Sequence, residues 1–125
     1  MLIPQKTHEA LETQSHCRVD LGAEVAQLSR GDLQAGRNSK TLLKAPDLRV
    51  VLVTAKKGSY VKEHRAEGSV TILVIEGGIR LNLAAGPVEL KSGELLALDQ
   101  ALPHDVEALT DCAFLVTIGW GGTPS

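Results

Sequence analysis

The stretch SVTILVIEGGIRLNLA, residues 69–84, decides the fold. Its first half is apolar at nearly every position and rich in β-branched residues, which indicates a strand buried on both faces. Glu76, Gly77 and Gly78 then give a tight-turn signal, because glycine adopts positive φ without strain. In the second half apolar and polar residues alternate, as in a strand with one buried face. The stretch therefore predicts two antiparallel strands joined by a hairpin.

The same kind of segment recurs from Thr41 to Gly119, each time bounded by turn residues. The segments are TLLKA, LRVVLVTA, SYVKEH, SVTILVIE, IRLNLA, PVEL, ELLALD, HDVEAL and CAFLVTIG. Short apolar runs of this spacing, without a helical period, are typical of an antiparallel sandwich or barrel. At 125 residues the chain has the size of one domain.

The first third of the chain has a different pattern. Residues 5–14 predict a short helix or a loose arm, and the polar stretch 29–39 predicts a loop. Between them, residues 17–28 predict an edge strand that Gly22 interrupts. We therefore interpret residues 1–37 as an N-terminal arm whose edge strand is shared with a partner subunit, and residues 38–125 as the barrel.

Composition excludes several classes of function. The net charge of −2, without a basic patch, gives no reason to expect nucleic acid or an anionic membrane as a partner. No apolar run approaches the roughly 20 residues that span a bilayer, and the N-terminus lacks the features of a signal peptide. We expect a cytoplasmic protein with reduced thiols. Only Tyr60, Phe114 and Trp120 are aromatic, so a ligand pocket would have mainly aliphatic walls.

Five anchor residues carry a resemblance to a known family. Gly58, His64 and Gly77 have the spacing of the first motif of the cupin superfamily, and Gly93 and His104 have that of the second. The chain thus resembles the cupin superfamily over about residues 40–120, and within it a group of small bacterial single-domain proteins. The resemblance implies an all-β fold, the double-stranded β-helix or jelly-roll barrel.

The departures from these motifs concern the metal site. In metal-binding cupins two histidines and a glutamate of the first motif, with the histidine of the second, hold one divalent metal. Here Ala66 and Val70 stand at the second histidine and glutamate positions, so His64 and His104 alone remain. Because catalytic metals usually take three or more protein ligands, we expect no metal and no other cofactor. A divalent transition metal held by His64 and His104 is the alternative.

Strand alternation extends the predicted pocket beyond the two histidines. If His64 points into the barrel, Tyr60 and Lys62 share its face. If His104 points inward, Val106 does as well. The predicted ligand-binding residues are His64, His104, Tyr60, Lys62, Val70, Ile72 and Val106.

Three functions are consistent with such a barrel. The first is binding of a small organic ligand in the pocket without a complete metal site. The second is a metal-dependent or histidine-based enzyme, dioxygenase-like or isomerase-like, with His64, His104 and Tyr60 as catalytic candidates. The third is a non-catalytic dimeric interaction module. The outward-facing apolar positions Thr71, Leu73 and Ile75 favour a homodimer.

Overall fold

One short helix and nine strands make up the described part of the chain. The structure, a computed structural model, describes residues 16–31, 36–63, 68–98 and 104–120, and for Glu63 and His104 it describes the backbone alone. The elements are α1 Leu21–Ser29, β1 Arg37–Ala45, β2 Leu48–Ala55, β3 Tyr60–Glu63, β4 Ser69–Glu76, β5 Gly78–Leu83, β6 Gly86–Lys91, β7 Leu95–Leu98, β8 His104–Ala108 and β9 Cys112–Gly119.

The strands form two antiparallel sheets that face each other. Sheet A has the order β1-β2-β9-β4-β7, and sheet B has the order β3-β8-β5-β6. Strands distant in sequence are neighbours, as when Val53 of β2 pairs with Phe114 of β9. The segments LRVVLVTA, SVTILVIE and CAFLVTIG occupy β2, β4 and β9 as predicted. The predicted all-β jelly-roll barrel is confirmed.

The barrel core lies between the inner faces of the two sheets. Ile72 and Phe114 of sheet A and Ile79, Leu81 and Val106 of sheet B are 0% exposed. Complete burial of a side chain of this kind stabilises the fold by about 1.5–3 kcal/mol. The alternation seen in the sequence of β5 therefore identifies the buried face of sheet B correctly.

The β4–β5 turn closes one end of the barrel at Gly77. Its φ of 75° lies in the left-handed region, and a Cβ there would lie 2.3 Å from the carbonyl oxygen of Asp111. The next residue, Gly78, donates a backbone hydrogen bond of 3.0 Å to Thr110 Oγ1. Glycine is required at position 77 both for its conformation and for the close approach of the β8–β9 turn.

Residues 21–29 form helix α1 on the outer face of sheet A, so the predicted edge strand is wrong. Asp20 caps the helix by accepting a 3.1 Å hydrogen bond from the Ala23 backbone N–H. Val25 is buried in a second apolar cluster with Leu42 and Leu52 of the sheet. The apolar residues of this segment line one side of a helix, and this packing outweighs the strand tendency of its valines.

An ion pair joins the helix to the edge strand β1. Lys40 Nζ lies 2.6 Å from Glu24 Oε1, and both side chains are largely buried. The segment thus packs on the chain's own sheet as a helix, and contact of the N-terminal arm with a partner subunit stays a prediction. The helix expected over residues 5–14 lies outside the described residues. Strand β1 begins at Arg37, one residue before the predicted start of the barrel.

Within the ranges described, no helix has the length and apolar character needed to cross a membrane.

Candidate functional site

The two ends of the barrel differ in how deeply their inward side chains are buried. At the end closed by the β4–β5 turn, Val74 and Phe114 are 1% and 0% exposed. At the opposite end, Leu83 and Ile118 pack against the core but are only partly buried, as is Val51 two residues further in, whereas Val70 and Leu98 are 6% and 8% exposed. We call this second end, defined by Val51, Leu83 and Ile118, the mouth.

Three of the predicted wall residues face the interior as expected. Val70, Ile72 and Val106 are 6%, 0% and 0% exposed and belong to the barrel core. Val70 pairs with Ile118, which places it at the mouth. Their inward orientation is confirmed, and their contact with a ligand stays a prediction.

The two predicted histidines lie at the edge of what the structure describes. His104 is the first residue of β8, and its Cα pairs in register with that of Glu63, the last residue of β3. His64 follows Glu63 directly in the chain and lies outside the described residues. The pairing of β3 with β8 therefore places the backbones of Glu63 and His104 side by side at the mouth end. Their roles stay predictions.

The predicted inward orientation of Tyr60 and Lys62 is wrong. Tyr60 is 50% exposed and Lys62 is exposed, whereas Val61 between them is buried and pairs with Val106. The predicted orientation requires that β3 continue through His64, so that Tyr60, Lys62 and His64 share one face. The strand ends at Glu63 instead. Tyr60 therefore lies on the outer surface, and its candidacy as a catalytic group inside the barrel is lost.

Sequence reasoning missed Arg49, which lies at the mouth. It pairs with Ile118 in register and is in phase with the inward residues Val51 and Val53 of the same strand. Its Cζ lies 5.5 Å from the ring centroid of Trp120. Its Nε is buried and has no hydrogen-bond partner in the part of the chain that the structure describes. Because side chains of a strand alternate between its two faces, Arg49 is predicted to share the inward face of Val53 and Val51, and this alternation could have identified it.

The described residues do not fit a metal centre. Within residues 16–31, 36–63, 68–98 and 104–120, no group of three or more His, Cys, Asp or Glu side chains could hold an ion. Val70, at the position of the motif's glutamate, is a buried aliphatic side chain without a donor atom. The expectation of no metal or other cofactor stays a prediction, because it also concerns His64 and His104.

A cleft of about 160 Å³ lies at the opposite, closed end, beneath the end of α1. Thr54, Lys56, Glu76, Asp111 and Cys112 contribute to its lining. The Thr54 hydroxyl is buried and has no hydrogen-bond partner among the described residues. Lys56 Nζ pairs at 3.6 Å with Asp111 Oδ2, and both side chains are mostly exposed. The charges of Lys56 and Asp111 offset each other, whereas Glu76 forms no ion pair among the described residues.

The thiol of the cleft is not an activated nucleophile. Burial, and next to it the charge of Asp111, raise the pKa of Cys112 to about 11, so the thiol is protonated at neutral pH. The backbone N–H of Lys57 donates a 2.9 Å hydrogen bond to Asp111 Oδ1 and lowers the pKa of that carboxyl. The Asp111 carboxylate is therefore satisfied by its neighbours, whereas Arg49 at the mouth has no ion-pair partner among the described residues.

Comparison with known proteins supports the fold. Similar solved structures include an RmlC-like cupin from Desulfovibrio desulfuricans, with 22% identity and a TM-score of 0.68 over 83% of this chain and 97% of that one. A cupin 2 conserved barrel domain protein from Leptotrichia buccalis is 28% identical, with a TM-score of 0.66 over 78% of this chain and 45% of that one. A cupin superfamily protein from Desulfitobacterium hafniense is 14% identical, with a TM-score of 0.67 over 73% and 84%. No protein-family model and no curated protein matches the sequence.

Proposed function

We infer that this chain, which has the fold of the cupin superfamily expected from its motifs, uses the mouth of the barrel as its functional site. The same barrel carries many unrelated functions, so function has to be argued from the mouth and its residues.

We propose that the protein binds a small organic ligand at the mouth of the barrel, without a complete metal site. The observation that carries the proposal is the difference in burial between the two ends. Phe114 at the closed end is 0% exposed, whereas at the mouth Leu83 and Ile118 are only partly buried beside the buried Val70. An accessible apolar surface that continues into a packed core is the usual form of a small-molecule site.

Three polar residues complete the proposed site. The chain positions of His64 and His104 support them as ligand contacts, because β3 ends one residue before His64 and pairs with the first residue of β8. Imidazole can donate or accept a hydrogen bond near neutral pH, so it can orient a polar group of the ligand. Arg49 adds a permanent positive charge at the same end.

The test is a thermal-shift screen of small organic compounds, with elemental analysis of protein prepared without a metal-affinity tag. We expect compounds that raise the Tm of the wild type and lose this effect in His64→Ala and His104→Ala. His16→Ala, an exposed histidine outside the barrel strands, is the control and should respond like the wild type. A metal content near one per chain that His104→Ala abolishes would contradict the proposal and support the metal-dependent enzyme.

A homodimer is the second candidate, supported by the outer face of sheet A. Leu95 of β7 is 61% exposed and pairs in register with Leu73 of β4, beside the half-buried Thr71. Ile75, the third predicted contact, instead packs against the cluster beneath α1. Light scattering at micromolar concentration should give a dimer for the wild type and a monomer for Leu95→Lys. A monomeric wild type would contradict it.

A further inference from the structure

Two positively charged side chains lie next to each other at the mouth. In the β1–β2 ladder, Lys44 pairs in register with Arg49. Directly opposed residues of an antiparallel pair project from the same face, with their Cβ atoms about 4.5–5.5 Å apart. Like charges in this arrangement repel each other and destabilise the sheet.

No acidic partner offsets this repulsion among the described residues. Some other cations of the described residues have acidic partners: Arg80 lies 2.8 Å from Glu89 and 3.3 Å from Glu107, and Lys40 lies 2.6 Å from Glu24. Neither Lys44 nor Arg49 forms such an ion pair in the described part of the chain. In addition, the buried Nε–H of Arg49 has no acceptor there. A buried donor without an acceptor costs about 1–3 kcal/mol.

Trp120 holds the guanidinium in place. The Arg49 Cζ lies 5.5 Å from the centroid of the indole ring, a distance within the range of a cation–π interaction. The Trp120 backbone N–H donates a 3.0 Å hydrogen bond to the carbonyl oxygen of Asp47 in the β1–β2 turn, which ties the residue after β9 to the hairpin that carries both cations. The Asp47 carboxylate, three residues from Lys44, forms no ion pair within the described ranges. The arginine is therefore oriented before any ligand binds.

We propose that Lys44, Arg49 and Trp120 form a carboxylate-binding subsite at the rim of the mouth, so that the ligand is the anion of a small aliphatic carboxylic acid. This proposal rests on the proposed function, because it names the class of ligand for the same site. A carboxylate supplies the acceptor that the described residues do not offer to Arg49, and it screens the repulsion between Arg49 and Lys44. A planar guanidinium matches a planar carboxylate, and the aliphatic remainder of the ligand contacts Val51 and Ile118.

The sequence offers a direct probe, since Trp120 is the only tryptophan in the chain. Its fluorescence is titrated with valerate, with the uncharged and nearly isosteric valeramide, and with inorganic phosphate, and binding is confirmed by ligand-observed NMR. We expect valerate to bind at least about tenfold more tightly than valeramide, and more tightly than phosphate, as for a charge-assisted hydrogen bond at an apolar site.

Single substitutions show which residues cause the preference for valerate over valeramide. Arg49→Gln should remove the preference for valerate over valeramide, and Lys44→Gln should reduce it about threefold. Arg49→Lys retains the charge without the planar fork and should show an intermediate preference. Arg30→Gln and Lys91→Gln make the same changes at exposed positions away from the mouth and should bind like the wild type. Thermal denaturation of each variant shows whether it is folded.

The outcomes separate the two proposals. Equal binding of valerate and valeramide, unchanged in Arg49→Gln, overturns the carboxylate subsite and leaves the mouth as a site for neutral ligands. Phosphate binding as tightly as valerate overturns the choice of carboxylate. If none of the three probes binds, the carboxylate subsite fails, and the thermal-shift screen described above decides separately whether the mouth binds other ligands.

Discussion

The closed end and the mouth are built from the same strands, yet their polar groups differ in how many hydrogen bonds and ion pairs they form. At the closed end Thr110 accepts a hydrogen bond from Gly78, and Asp111 accepts one from Lys57 and pairs with Lys56. At the mouth, Arg49 faces a lysine across the ladder and keeps a buried donor without an acceptor among the described residues. Among the described residues, the closed end leaves the neutral Thr54 hydroxyl without a partner, whereas the mouth leaves one donor of a charged guanidinium without one, which is the more costly of the two. Such local costs are typical of binding sites.

The largest effect is expected from Gly77→Ala at the closed end. The new Cβ would overlap the Asp111 carbonyl oxygen in a backbone conformation that alanine disfavours, so we expect a loss of about 3 kcal/mol or more in the free energy of unfolding. Gly58, with φ of 87° and no atom within 4 Å of an added Cβ, is the matched control. Gly58→Ala should cost about 1–2 kcal/mol in urea denaturation. Equal losses would show that the close approach at Gly77 carries no cost.

Cys112 tests the burial of the closed end. With its pKa raised to about 11 from an ordinary 9.0, its thiolate fraction at pH 8 is lower by about a hundredfold. Mass spectrometry after iodoacetamide treatment should therefore show alkylation of the half-buried Cys17 well before that of Cys112. Rapid modification of Cys112 in the folded protein would contradict the closed arrangement.

The same thiol gives the protein a pH dependence at alkaline pH. Because the folded-state pKa lies above the unfolded value, the unfolded chain loses its proton first. The free energy of unfolding should be unaffected below about pH 9 and should fall as the pH rises from about 9 to about 11. Cys112→Ala should reduce this fall in urea denaturation experiments across that range, and an unchanged slope would contradict the assignment.

A valine-to-alanine substitution at each end compares how much side-chain burial stabilises the two ends. Val74→Ala removes two methyl groups from a side chain that is 1% exposed and should cost about 2 kcal/mol, including the cavity. Val51→Ala at the mouth should cost less than about 1 kcal/mol, since that side chain is only half-buried. Urea denaturation of both variants provides the measurement. A cost at Val51 equal to that at Val74 would mean that the mouth is packed as tightly as the core.

The smallest expected change is an increase in the free energy of unfolding. Lys44→Gln removes the repulsion with Arg49 and should raise the free energy of unfolding by about 0.3 kcal/mol at low salt, less at high salt. Lys91→Gln is the control, because Lys91 pairs across the ladder with Gly78 and has no opposed cation. A loss of stability in Lys44→Gln would mean that the lysine has a stabilising partner.

Much of the barrel could be predicted from the sequence, because its signals are local. Alternation in β5 and the glycines at the turns each depend on a few neighbouring residues, and Gly77 and Gly93 have the positive φ that their turns require. Residues 17–28 carry conflicting local signals, since valine favours a strand whereas Asp20 is a good helix cap. Whether that segment pairs with a sheet edge or packs on a sheet face depends on Leu42 and Leu52, which are far away in the sequence.

The candidate site was harder to predict for a similar reason. The face on which Tyr60 lies was predicted from His64, on the assumption that one strand contains both residues. That strand ends at Glu63, and the sequence contains no turn signal between Glu63 and Arg65 that would indicate this end. Arg49 lies in an apolar strand and resembles an ordinary surface charge until β1 and β9 are placed on either side of it. Only that placement puts Lys44 opposite it and Trp120 against it, because these contacts join residues up to about 70 positions apart.

Helix α1 covers the apolar residues Leu42, Leu52 and Ala113 on the outside of sheet A, and its Glu24 holds Lys40 of the edge strand. A shortened chain that begins at β1 would leave this surface in water beside an edge strand free to pair with other molecules. Self-association of such a chain is the expected consequence. Residues 21–29 therefore protect the protein from aggregation by covering this surface. A shortened version of the protein has to retain them.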